Sequence, residues 1–440
     1  MAVAAATLNG HTGIQGTKEG WRLPMSRKSV AVIGAGISGL TAAYILQKHF
    51  DVTLFEANDR LGGNAETVSV GKRLDVDLGF TGYSTVAYPT LSRLFRELGV
   101  EGQPVVSASD AVCQDCWFAD LNGTTVAGGE LKRPEDAAEA VWDSFTADQQ
   151  RFGKELASLV GTGDTDLTIG GFLADRGYSS YFTRHWFYPR FGPWFLLGAA
   201  DLDRMPVSFL ADSMAPLLNP AALESWHTVR GGSHTYTAGI AARLSDVRLS
   251  TPVRNVRRTA DGVTVRTADS GQEYFNKAVL AVHPQQALRI LETTPQERDV
   301  LGAFRFVAVN VVLHTDTSVL PTPDCTGALM MHLSCRSSGP EFADCHVDVT
   351  QSLRLDTAER YVKSFNPTDA IDPARVLARR RYEVPLFTGE SVRAQAALGT
   401  RSTDRLAFAG SWFGNGFHEA GCLSGVRAAE ALGARWDQGA

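Results

Sequence analysis

A histidine and a glutamate stand side by side near the end of the sequence, in the stretch GSWFGNGFHEAGCLSG at residues 410–425. Imidazole titrates near neutral pH, so His418 could relay a proton to or from a bound molecule. The pair is not part of an HExxH zinc motif, because position 422 is cysteine. Glu419 could instead order the turn and stabilise the positive N-terminus of a following helix. Both interpretations stay open, and His418 is the first candidate catalytic residue.

Six cysteines are scattered along the 440 residues, and two of them form a C-x-x-C at Cys113 and Cys116. Such a pair could be a redox dithiol or half of a zinc site. No second C-x-x-C or H-x-x-H accompanies it, and the cysteines are too few and too dispersed for a disulfide framework. We therefore expect two thiols in a strand or loop, and we predict no metal site.

The elements that must position such residues begin at Ser29. Residues 30–33 form a short apolar run typical of a buried parallel strand, and a second such run at 52–55 ends at Glu56. Between them lies a G-x-G-x-x-G motif with apolar residues at helical spacing after it. In a βαβ unit these glycines make the turn, admit a pyrophosphate and let the helix pack on the strand, while the terminal acid accepts hydrogen bonds from a ribose. The sequence therefore predicts dinucleotide binding.

The sequence continues with RLGGN at residues 60–64 and DVDLGF at residues 75–80. With IGAGISGL and VTLFEAN, these segments resemble the N-terminal motif of the flavin amine oxidase and phytoene desaturase superfamily. Residues 29–434 resemble bacterial FAD-binding, amine-oxidase-like oxidoreductases often found near cyclopropane-fatty-acid-synthase-like methyltransferases. The resemblance implies an FAD cofactor, held without a covalent bond.

The resemblance also implies which residues contact the FAD. In this superfamily an arginine and paired glycines contact the diphosphate, and the main chain at the position of Val253 contacts the adenine. Backbone amides at the start of the last helix face the flavin O2 carbonyl. By position, the cofactor residues are Gly34, Gly36, Ile37, Ser38, Gly39, Glu56, Ala57, Arg60, Gly62, Gly63, Asn64, Val253, Gly410, Ser411, Gly421, Cys422 and Leu423.

Strand and glycine-turn patterns recur in three separate parts of the chain, which predicts an α/β fold. We expect a Rossmann-like FAD-binding domain of the GR2 type with a discontinuous α+β substrate domain. A hairpin is predicted around Asp261-Gly262. The expected organisation is a disordered leader at 1–28, FAD-binding segments at 29–100, 226–300 and 386–440, and substrate-domain segments at 101–225 and 301–385.

Composition narrows the class of partner. The formal net charge is −6, whereas binding to nucleic acid or an anionic membrane would call for a basic excess. No apolar run is long enough for a transmembrane helix, and the first 28 residues lack the apolar core of a secretion signal. We expect a cytoplasmic enzyme that takes a small molecule, with no nucleic-acid or integral membrane contact. The sequence does not specify an oligomeric state.

Two positions argue against amine oxidation as well-studied amine oxidases perform it. In those enzymes a lysine holds a water near flavin N5, and two aromatic side chains cage the amine. The lysine position corresponds to Asn310 here, and the second cage position aligns with Cys422. A cation would lose about 0.5–2 kcal/mol with each missing aromatic face. Asn310 and Cys422 therefore join His418 as candidate catalytic residues for a different flavin reaction.

Residues 178–198, YSSYFTRHWFYPRFGPWFLLG, hold nine aromatic side chains that could form core or line an apolar tunnel. Arg184, His185 and Arg190 could anchor an anionic group or serve the scaffold. Members of the resembling family are often found near cyclopropane-fatty-acid-synthase-like methyltransferases. Together with the aromatic run, this favours hydride transfer between flavin N5 and a carbon of an acyl or polyketide-like substrate, as oxidation or desaturation. The alternatives are a redox-neutral double-bond isomerase, an amine or amide oxidase, and a non-catalytic flavin-binding protein.

Overall fold

The computed structural model describes residues 27–437 except 72–73, 106–107, 122–130, 269–270, 321–326, 334–343, 368–370 and 400–401. Nearly all of the predicted leader therefore lies outside the described residues, as do Cys325 and Cys335. The strands, in chain order, are β1 (Ser29–Ile33), β2 (Asp51–Phe55), β3 (Thr67–Val70), β4 (Leu74–Asp77), β5 (Tyr83–Ser84), β6 (Gly102–Pro104), β7 (Ser109–Cys113), β8 (Ala119–Asp120), β9 (Trp226–Val229), β10 (Asp246–Arg248), β11 (Val253–Arg258), β12 (Val263–Thr267), β13 (Gln272–Phe275), β14 (Lys277–Leu280), β15 (Arg305–His314), β16 (Leu329–Leu333), β17 (Asp344–Asp348), β18 (Val362–Phe365), β19 (Val376–Leu386) and β20 (Leu406–Phe408).

The helices lie between these strands and at the C-terminal end. They are α1 (Ile37–Leu46), α2 (Pro89–Leu98), α3 (Glu139–Ser158), α4 (Ile169–Asp175), α5 (Ser180–Phe182), α6 (Tyr188–Phe195), α7 (Ala199–Leu202), α8 (Val207–Met214), α9 (Pro220–Leu223), α10 (His234–Ala241), α11 (Pro284–Ile290), α12 (Pro295–Gly302), α13 (Val349–Ser352), α14 (Gly389–Gly399) and α15 (His418–Ala431). A π-helix at Thr183–Phe187 joins α5 to α6. Across the residues that the structure describes, every helix is too short or too polar to cross a bilayer.

A parallel sheet with the strand order β10-β2-β1-β14-β20 carries the glycine turn. The central strands are apolar because helices cover them, and Val30, Leu54 and Val279 are at most slightly exposed. Helix α1 is buried along its whole length, because α15 packs across it. The carboxyl ends of β1, β2 and β14 therefore meet at one edge, where ligands of such sheets bind.

A second, mixed sheet has the order β19-β15-β18-β17-β16-β7-β8. Its longest pairing joins β15 and β19 in antiparallel register from Arg305 with Leu386 to His314 with Val376. Apolar residues on one face, including Val309 and Val311, pack against Val76 in a core of their own. This core packs the mixed sheet against β4, which pairs with β3 in a separate two-stranded sheet.

Helices α3 to α9 and the π-helix fill the region between β8 and β9. Phe152, on α3, is surrounded by rings of the aromatic run and contacts Phe182, Phe187 and Phe191 at centroid distances of 5.2–5.8 Å. Part of the aromatic run is therefore core. The predicted hairpin is confirmed as well, since Arg258 pairs with Val263 across the turn.

Candidate active site

The glycine turn between β1 and α1 is packed so closely that two of its positions admit no side chain. Gly34 has φ +101°, and a Cβ there would lie 2.4 Å from the Ala281 carbonyl oxygen. A Cβ on Gly39 would lie 1.9 Å from the Gly34 carbonyl oxygen, so the helix start packs directly on the strand end. At Gly36 an added Cβ would meet no atom within 4 Å, and this residue faces a cavity. The open side of the turn leaves room for a pyrophosphate at a helix N-terminus.

That cavity, here called the dinucleotide cavity, has a volume of about 820 Å³. It follows the edge of the parallel sheet from the glycine turn to the segment before α15. Thirteen of the predicted cofactor residues line it: Gly34, Gly36, Ile37, Ser38, Glu56, Ala57, Arg60, Gly62, Gly63, Asn64, Val253, Gly410 and Ser411. The structure therefore brings three distant parts of the chain to one site.

Glu56 stands at the end of β2 with little exposed surface. Its Oε2 accepts a hydrogen bond from the Ala35 amide at 2.8 Å, and its Oε1 accepts from the Asn58 amide and side chain, both at 2.9 Å. These bonds fix the carboxylate beside the turn. Oε2 can accept a further bond, so the group can still receive a ribose hydroxyl from the cavity.

Positive charge exceeds negative charge around the dinucleotide cavity. Arg60 donates to the Gly63 carbonyl at 2.8 Å and lies 3.0 Å from Glu66 Oε2, so it is held over the glycine pair. The sequence did not reveal the other arginines, because they come from β11, α11 and β19. The arginines are Arg60, Arg254, Arg289, Arg380 and Arg381, against the acids Glu56, Glu66 and Glu383. This excess suits a diphosphate.

A second cavity of about 630 Å³, here called the apolar cavity, adjoins the first. From the aromatic run it takes Trp186, Phe191, Trp194 and Phe195, so the run forms both core and cavity wall. Other aromatic walls are Phe80, Phe118, Trp226, Phe306, Phe365, Phe387 and Phe417. The charged lining residues are Asp120, Arg190, Glu224 and Glu383. A cavity of this size with mostly apolar walls is typical of a small-molecule site.

The two cavities share seven lining residues, here called the junction: Asn64, His283, Tyr382, Glu383, Ser411, Gly416 and His418. A ligand that extends along the dinucleotide cavity from the glycine turn reaches the apolar cavity at these residues. The junction is therefore where a bound dinucleotide and a second molecule would meet.

His418 is held rigidly at the junction. Its ring stacks on Phe80 with centroids 3.7 Å apart and an angle of 11°, and its Nε2 lies 2.8 Å from the Tyr236 hydroxyl. Burial lowers the pKa of His418 to about 3, because a charged imidazole would lose its hydration. The ring is therefore neutral near pH 7 and acts as a wall with one fixed hydrogen bond.

Glu419 serves a different element from its neighbour. Its two carboxylate oxygens accept hydrogen bonds from the Thr90 and Leu91 amides, both at 2.9 Å. These amides belong to the first turn of α2, whose free N–H groups need acceptors. Glu419 does lie in the first turn of the following helix, as predicted, but its hydrogen bonds go to α2, and the pair forms no acid–base dyad.

A second histidine of the junction, His283, was missed by the sequence analysis. Its Nδ1 lies 3.4 Å from Glu383 Oε2, and its ring stacks on Phe306 at 4.3 Å. Burial lowers the pKa of His283, and the Glu383 carboxylate opposes that shift. One signal was available: His283 follows β14, and residues just beyond the carboxyl ends of parallel strands form ligand sites.

The structure corrects the positions of two predicted catalytic residues. Cys422 is fully buried one turn into α15, where the Thr41 hydroxyl donates to its Sγ at 3.5 Å, and it lines neither cavity. The aromatic ring of this segment that reaches the apolar cavity is Phe417. Asn310 is exposed on β15 and also lies outside both cavities, because the alternation of the strand turns Val309 and Val311 to the core instead.

The predicted backbone amides are also displaced. Helix α15 begins at His418, and the Gly421 amide already donates to the Phe417 carbonyl at 3.1 Å. The amides of Cys422 and Leu423 lie deeper in the helix, where such groups bond within it. The free amides of the first turn are therefore those of His418, Glu419 and Ala420, earlier than predicted. Gly39 likewise lines no cavity and acts through packing.

The C-x-x-C lies next to His185, a residue that lines the apolar cavity, and the fold thereby adds a third group to the two thiols. Cys113, Cys116 and His185 each offer a ligand atom, and these atoms lie within 4.8 Å of one another. His185 and Arg190 line the apolar cavity, whereas Arg184 is exposed and does not. The sequence analysis missed the cluster because the histidine lies far along the chain from the cysteines.

The comparisons with known proteins agree with this geometry. The sequence profile of the family described as flavin containing amine oxidoreductase matches residues 37–433. Polyamine oxidase 4 of Oryza sativa subsp. japonica is 25% identical over 405 residues, which cover 81% of this chain and 76% of that protein. Coproporphyrinogen III oxidase of Staphylococcus aureus is 35% identical over 159 residues, 34% of this chain and 32% of that protein.

Solved structures share the fold at low identity. Cyclohexylamine oxidase from Brevibacterium oxydans superposes with a TM-score of 0.68 at 19% identity, covering 92% of this chain and 98% of that chain. The CLA-producing fatty acid isomerase from P. acnes superposes with a TM-score of 0.66 at 16% identity, covering 90% and 97%. The same fold is therefore found in a protein named as an amine oxidase and in one named as a fatty acid isomerase.

Proposed function

The chain belongs to the flavin-containing amine oxidoreductase family and is an FAD-dependent oxidoreductase, and we propose that it oxidises or desaturates a hydrophobic substrate by moving a hydride from a substrate carbon to flavin N5. The observation that carries this proposal is the apolar cavity, which meets the dinucleotide cavity at the seven junction residues. An acyl or polyketide-like chain suits its aromatic walls, and the resemblance to oxidoreductases found near lipid-modifying methyltransferases favours the same kind of substrate.

The dinucleotide cavity fits FAD bound without a covalent link. The glycine turn, the fixed Glu56 carboxylate and the arginine excess match the diphosphate and ribose of the cofactor. Among the described residues, no cysteine lines this cavity, so thiol attachment has no donor there. We expect acid precipitation of the yellow protein to release all of the flavin into solution. Flavin that stays with the precipitate would show that the link is covalent.

When bound, the flavin supplies the hydride acceptor, and the chain must supply the rest. Aromatic walls such as Trp194, Phe195 and Phe417 hold an apolar chain and exclude water from the junction. Phe195 and Phe417 pack at a centroid distance of 5.4 Å. Neutral His418 places no charge there, which suits an uncharged substrate carbon.

Desaturation also removes a proton from the neighbouring carbon, and His283 is placed to accept it. Because the Glu383 carboxylate only accepts hydrogen bonds, His283 Nδ1 carries the proton and Nε2 keeps its lone pair. The carboxylate also stabilises the imidazolium that forms. We infer that His283 is the base and Glu383 its positioning residue.

Amine oxidation is the second candidate, and one observation favours it. Three acids, Asp120, Glu224 and Glu383, line the apolar cavity against one arginine. A substrate cation would find a net negative lining there. The proposal for an apolar chain and this candidate differ in which substrate reduces the flavin.

Anaerobic spectroscopy of the purified yellow protein separates these functions. Fatty acids, acyl thioesters and primary amines are added in turn, and bleaching of the visible flavin band and the product are followed. We expect an apolar chain to bleach the flavin and to leave with two hydrogens fewer. Bleaching by amines alone would establish the second candidate, and a shifted double bond without net oxidation would establish isomerisation. Either outcome would refute the proposal.

The role of His283 is tested with matched variants. His283→Gln is expected to slow flavin reduction by roughly 10²–10⁴-fold, the usual contribution of a general base, while flavin content stays constant. Glu383→Gln is expected to cause a smaller loss and to shift the pH profile of the reduction rate, since it removes the charge that supports the imidazolium. An unchanged rate in His283→Gln would refute the assignment.

A further inference from the structure

A hairpin and a π-helix bring two thiols together with the imidazole of His185, which lines the apolar cavity. β7 ends at Cys113, whose amide donates to the Phe118 carbonyl at 3.0 Å and closes the turn that holds Cys116. The π-helix Thr183–Phe187 places His185 over this turn, and π-helical turns occur frequently at functional sites. Cys113 and His185 are buried, and Cys116 is half-buried.

The imidazole is oriented toward the thiols. His185 Nδ1 lies 3.0 Å from the Tyr181 carbonyl, and the ring stacks on that of Tyr181 at 4.0 Å and 18°. Because a carbonyl only accepts hydrogen bonds, Nδ1 carries the proton, and the lone pair of Nε2 points to Cys116 Sγ, 3.5 Å away. Histidines that bind metals typically hold their second nitrogen in this way.

We propose that Cys113, Cys116 and His185 form a zinc site. With Zn–S near 2.3 Å and Zn–N near 2.0–2.1 Å, neighbouring ligand atoms of a tetrahedral site lie about 3.6 Å apart. The observed 3.5 Å between Cys116 Sγ and His185 Nε2 matches one edge of that tetrahedron, and the whole set lies within 4.8 Å. Two thiolates and a neutral imidazole cancel the charge of Zn²⁺, so the metal-bound group can be buried.

Two hydrogen bonds also reach the sulfur of Cys116. The Tyr181 hydroxyl lies 3.3 Å from Cys116 Sγ, and the Phe118 backbone amide donates to the same sulfur. Hydrogen bonds of this kind stabilise the charge on a metal-bound sulfur and fix its direction. Three protein ligands leave the fourth position of the tetrahedron for water.

The position of the cluster separates the metal from the cofactor. The hairpin carries Phe118 and Asp120, the π-helix carries Trp186, and all three residues line the apolar cavity. None of the three ligands belongs to the junction. The metal would therefore tie two sides of the apolar wall together without contact to the cofactor. The proposal does not depend on which substrate the enzyme oxidises.

The test uses the full-length flavoprotein, expressed with zinc and purified without oxygen in the presence of a reductant. Elemental analysis is expected to find one zinc per chain. After chelation, Co²⁺ is expected to restore full stoichiometry and to give the difference spectrum of a tetrahedral thiolate site. Cys116→Ser and His185→Gln are expected to weaken Co²⁺ binding at least tenfold, whereas Cys345→Ala, which removes another buried thiol, keeps it. Flavin content is expected to stay constant throughout.

A measurement on the wild-type protein tests the proposal even if the variants fail to fold. X-ray absorption of the wild-type zinc protein is expected to show two sulfur neighbours and at least one nitrogen. A shell of oxygen and nitrogen alone would overturn the proposal. So would reduced protein that takes up neither Zn²⁺ nor Co²⁺, or a Cys113–Cys116 disulfide found by mass spectrometry after purification without oxygen.

Discussion

The two cavities that meet at the junction are built in opposite ways. The dinucleotide cavity depends on closely packed main chain, because Gly34, Gly36 and Gly63 lie on two adjacent turns at one end of it. The apolar cavity is formed by large side chains from β-strands, helices and loops spread from Phe80 to Phe417. A closely packed glycine turn fails when a single atom is added, whereas a wall of side chains loses its contacts one ring at a time. The two regions should therefore respond differently to substitution.

The largest effect is expected at Gly39. In Gly39→Ala the new Cβ would lie 1.9 Å from the Gly34 carbonyl oxygen, so α1 must move away from β1. We expect a protein without flavin and with a lower thermal midpoint, measured by absorbance and by thermal unfolding. Gly198→Ala is the control, because a Cβ there meets no atom within 4 Å. If Gly39→Ala retained stoichiometric flavin, the contrast between the cavities would fail.

The next effect is expected at Glu56, which holds the turn through the Ala35 amide at 2.8 Å. Glu56→Ala leaves that donor without its partner and removes the acceptor for the ribose, at a cost of about 1–3 kcal/mol. The dissociation constant for FAD should rise about tenfold to hundredfold, measured by flavin fluorescence on titration of the apoprotein. The exposed Glu430→Gln is the control. Equal affinities would show that Glu56 does not contact the cofactor.

In the apolar cavity we expect Phe417→Ala to keep the flavin and to lose substrate affinity. Removal of a ring that packs on Phe195 removes about 1–3 kcal/mol of apolar contact with a bound chain. The KM of the bleaching substrate should rise while flavin content and absorbance stay as in wild type. The exposed Val86→Ala is the control. Loss of flavin from Phe417→Ala would contradict the separation of the two cavities.

A smaller effect concerns pH. Burial lowers the pKa of His418 to about 3 and that of His346 to about 4. The unfolded chain therefore binds protons first as the pH falls below about 6.5, so stability is lost between that pH and the folded-state pKa values. The loss from His418 should reach about 1 kcal/mol at pH 5.5.

Denaturant unfolding at pH 7.5 and 5.5 measures this loss. His418→Asn, which removes the titratable imidazole, should reduce the difference between the two pH values. His49→Gln, on the surface, should leave it unchanged. An identical pH dependence in His418→Asn and wild type would show that His418 does not stay neutral in the folded protein.

The smallest effect is expected at Asn310, which is exposed and lies outside both cavities. Asn310→Ala should keep flavin content and the rate of flavin reduction within about twofold of wild type, since surface changes cost little. Rapid-mixing measurements with the bleaching substrate test this. A large fall in rate would show that Asn310 takes part in the reaction and that the substrate binds on the other side of the sheet.

The same contrast explains what could be read from the sequence. The dinucleotide turn was predictable because Gly34, Gly39 and Glu56 act at fixed spacing within one βαβ unit. Arg380 reaches the same cavity from β19, which no local pattern connects to it, whereas His283 could have been found from its place just after β14. The fold class could be predicted from the recurrence of strand and turn patterns, while the apolar walls could only be guessed from the aromatic run.

The two misplaced catalytic residues were assigned from their positions in the sequence, without knowledge of where the helix begins or which way the strand faces. Cys422 was placed beside the flavin, but α15 begins at His418 and turns the thiol toward Thr41. Asn310 was placed there too, but the period of β15 faces it outward. A shift of a few residues in a helix start, or of one in a strand, changes the face on which a side chain lies. Such shifts leave the fold prediction intact and move the catalytic assignments.

Helix α15, whose Glu419 caps the first turn of α2, has a consequence for biosynthesis. The edge strand β20, the lining residues Gly410 and Ser411, and α15 are all made long after the glycine turn. The dinucleotide cavity is therefore complete only once α15 has been synthesised. Cofactor capture is then a late step, and a chain truncated before residue 406 would be colourless whatever the state of its glycine turn.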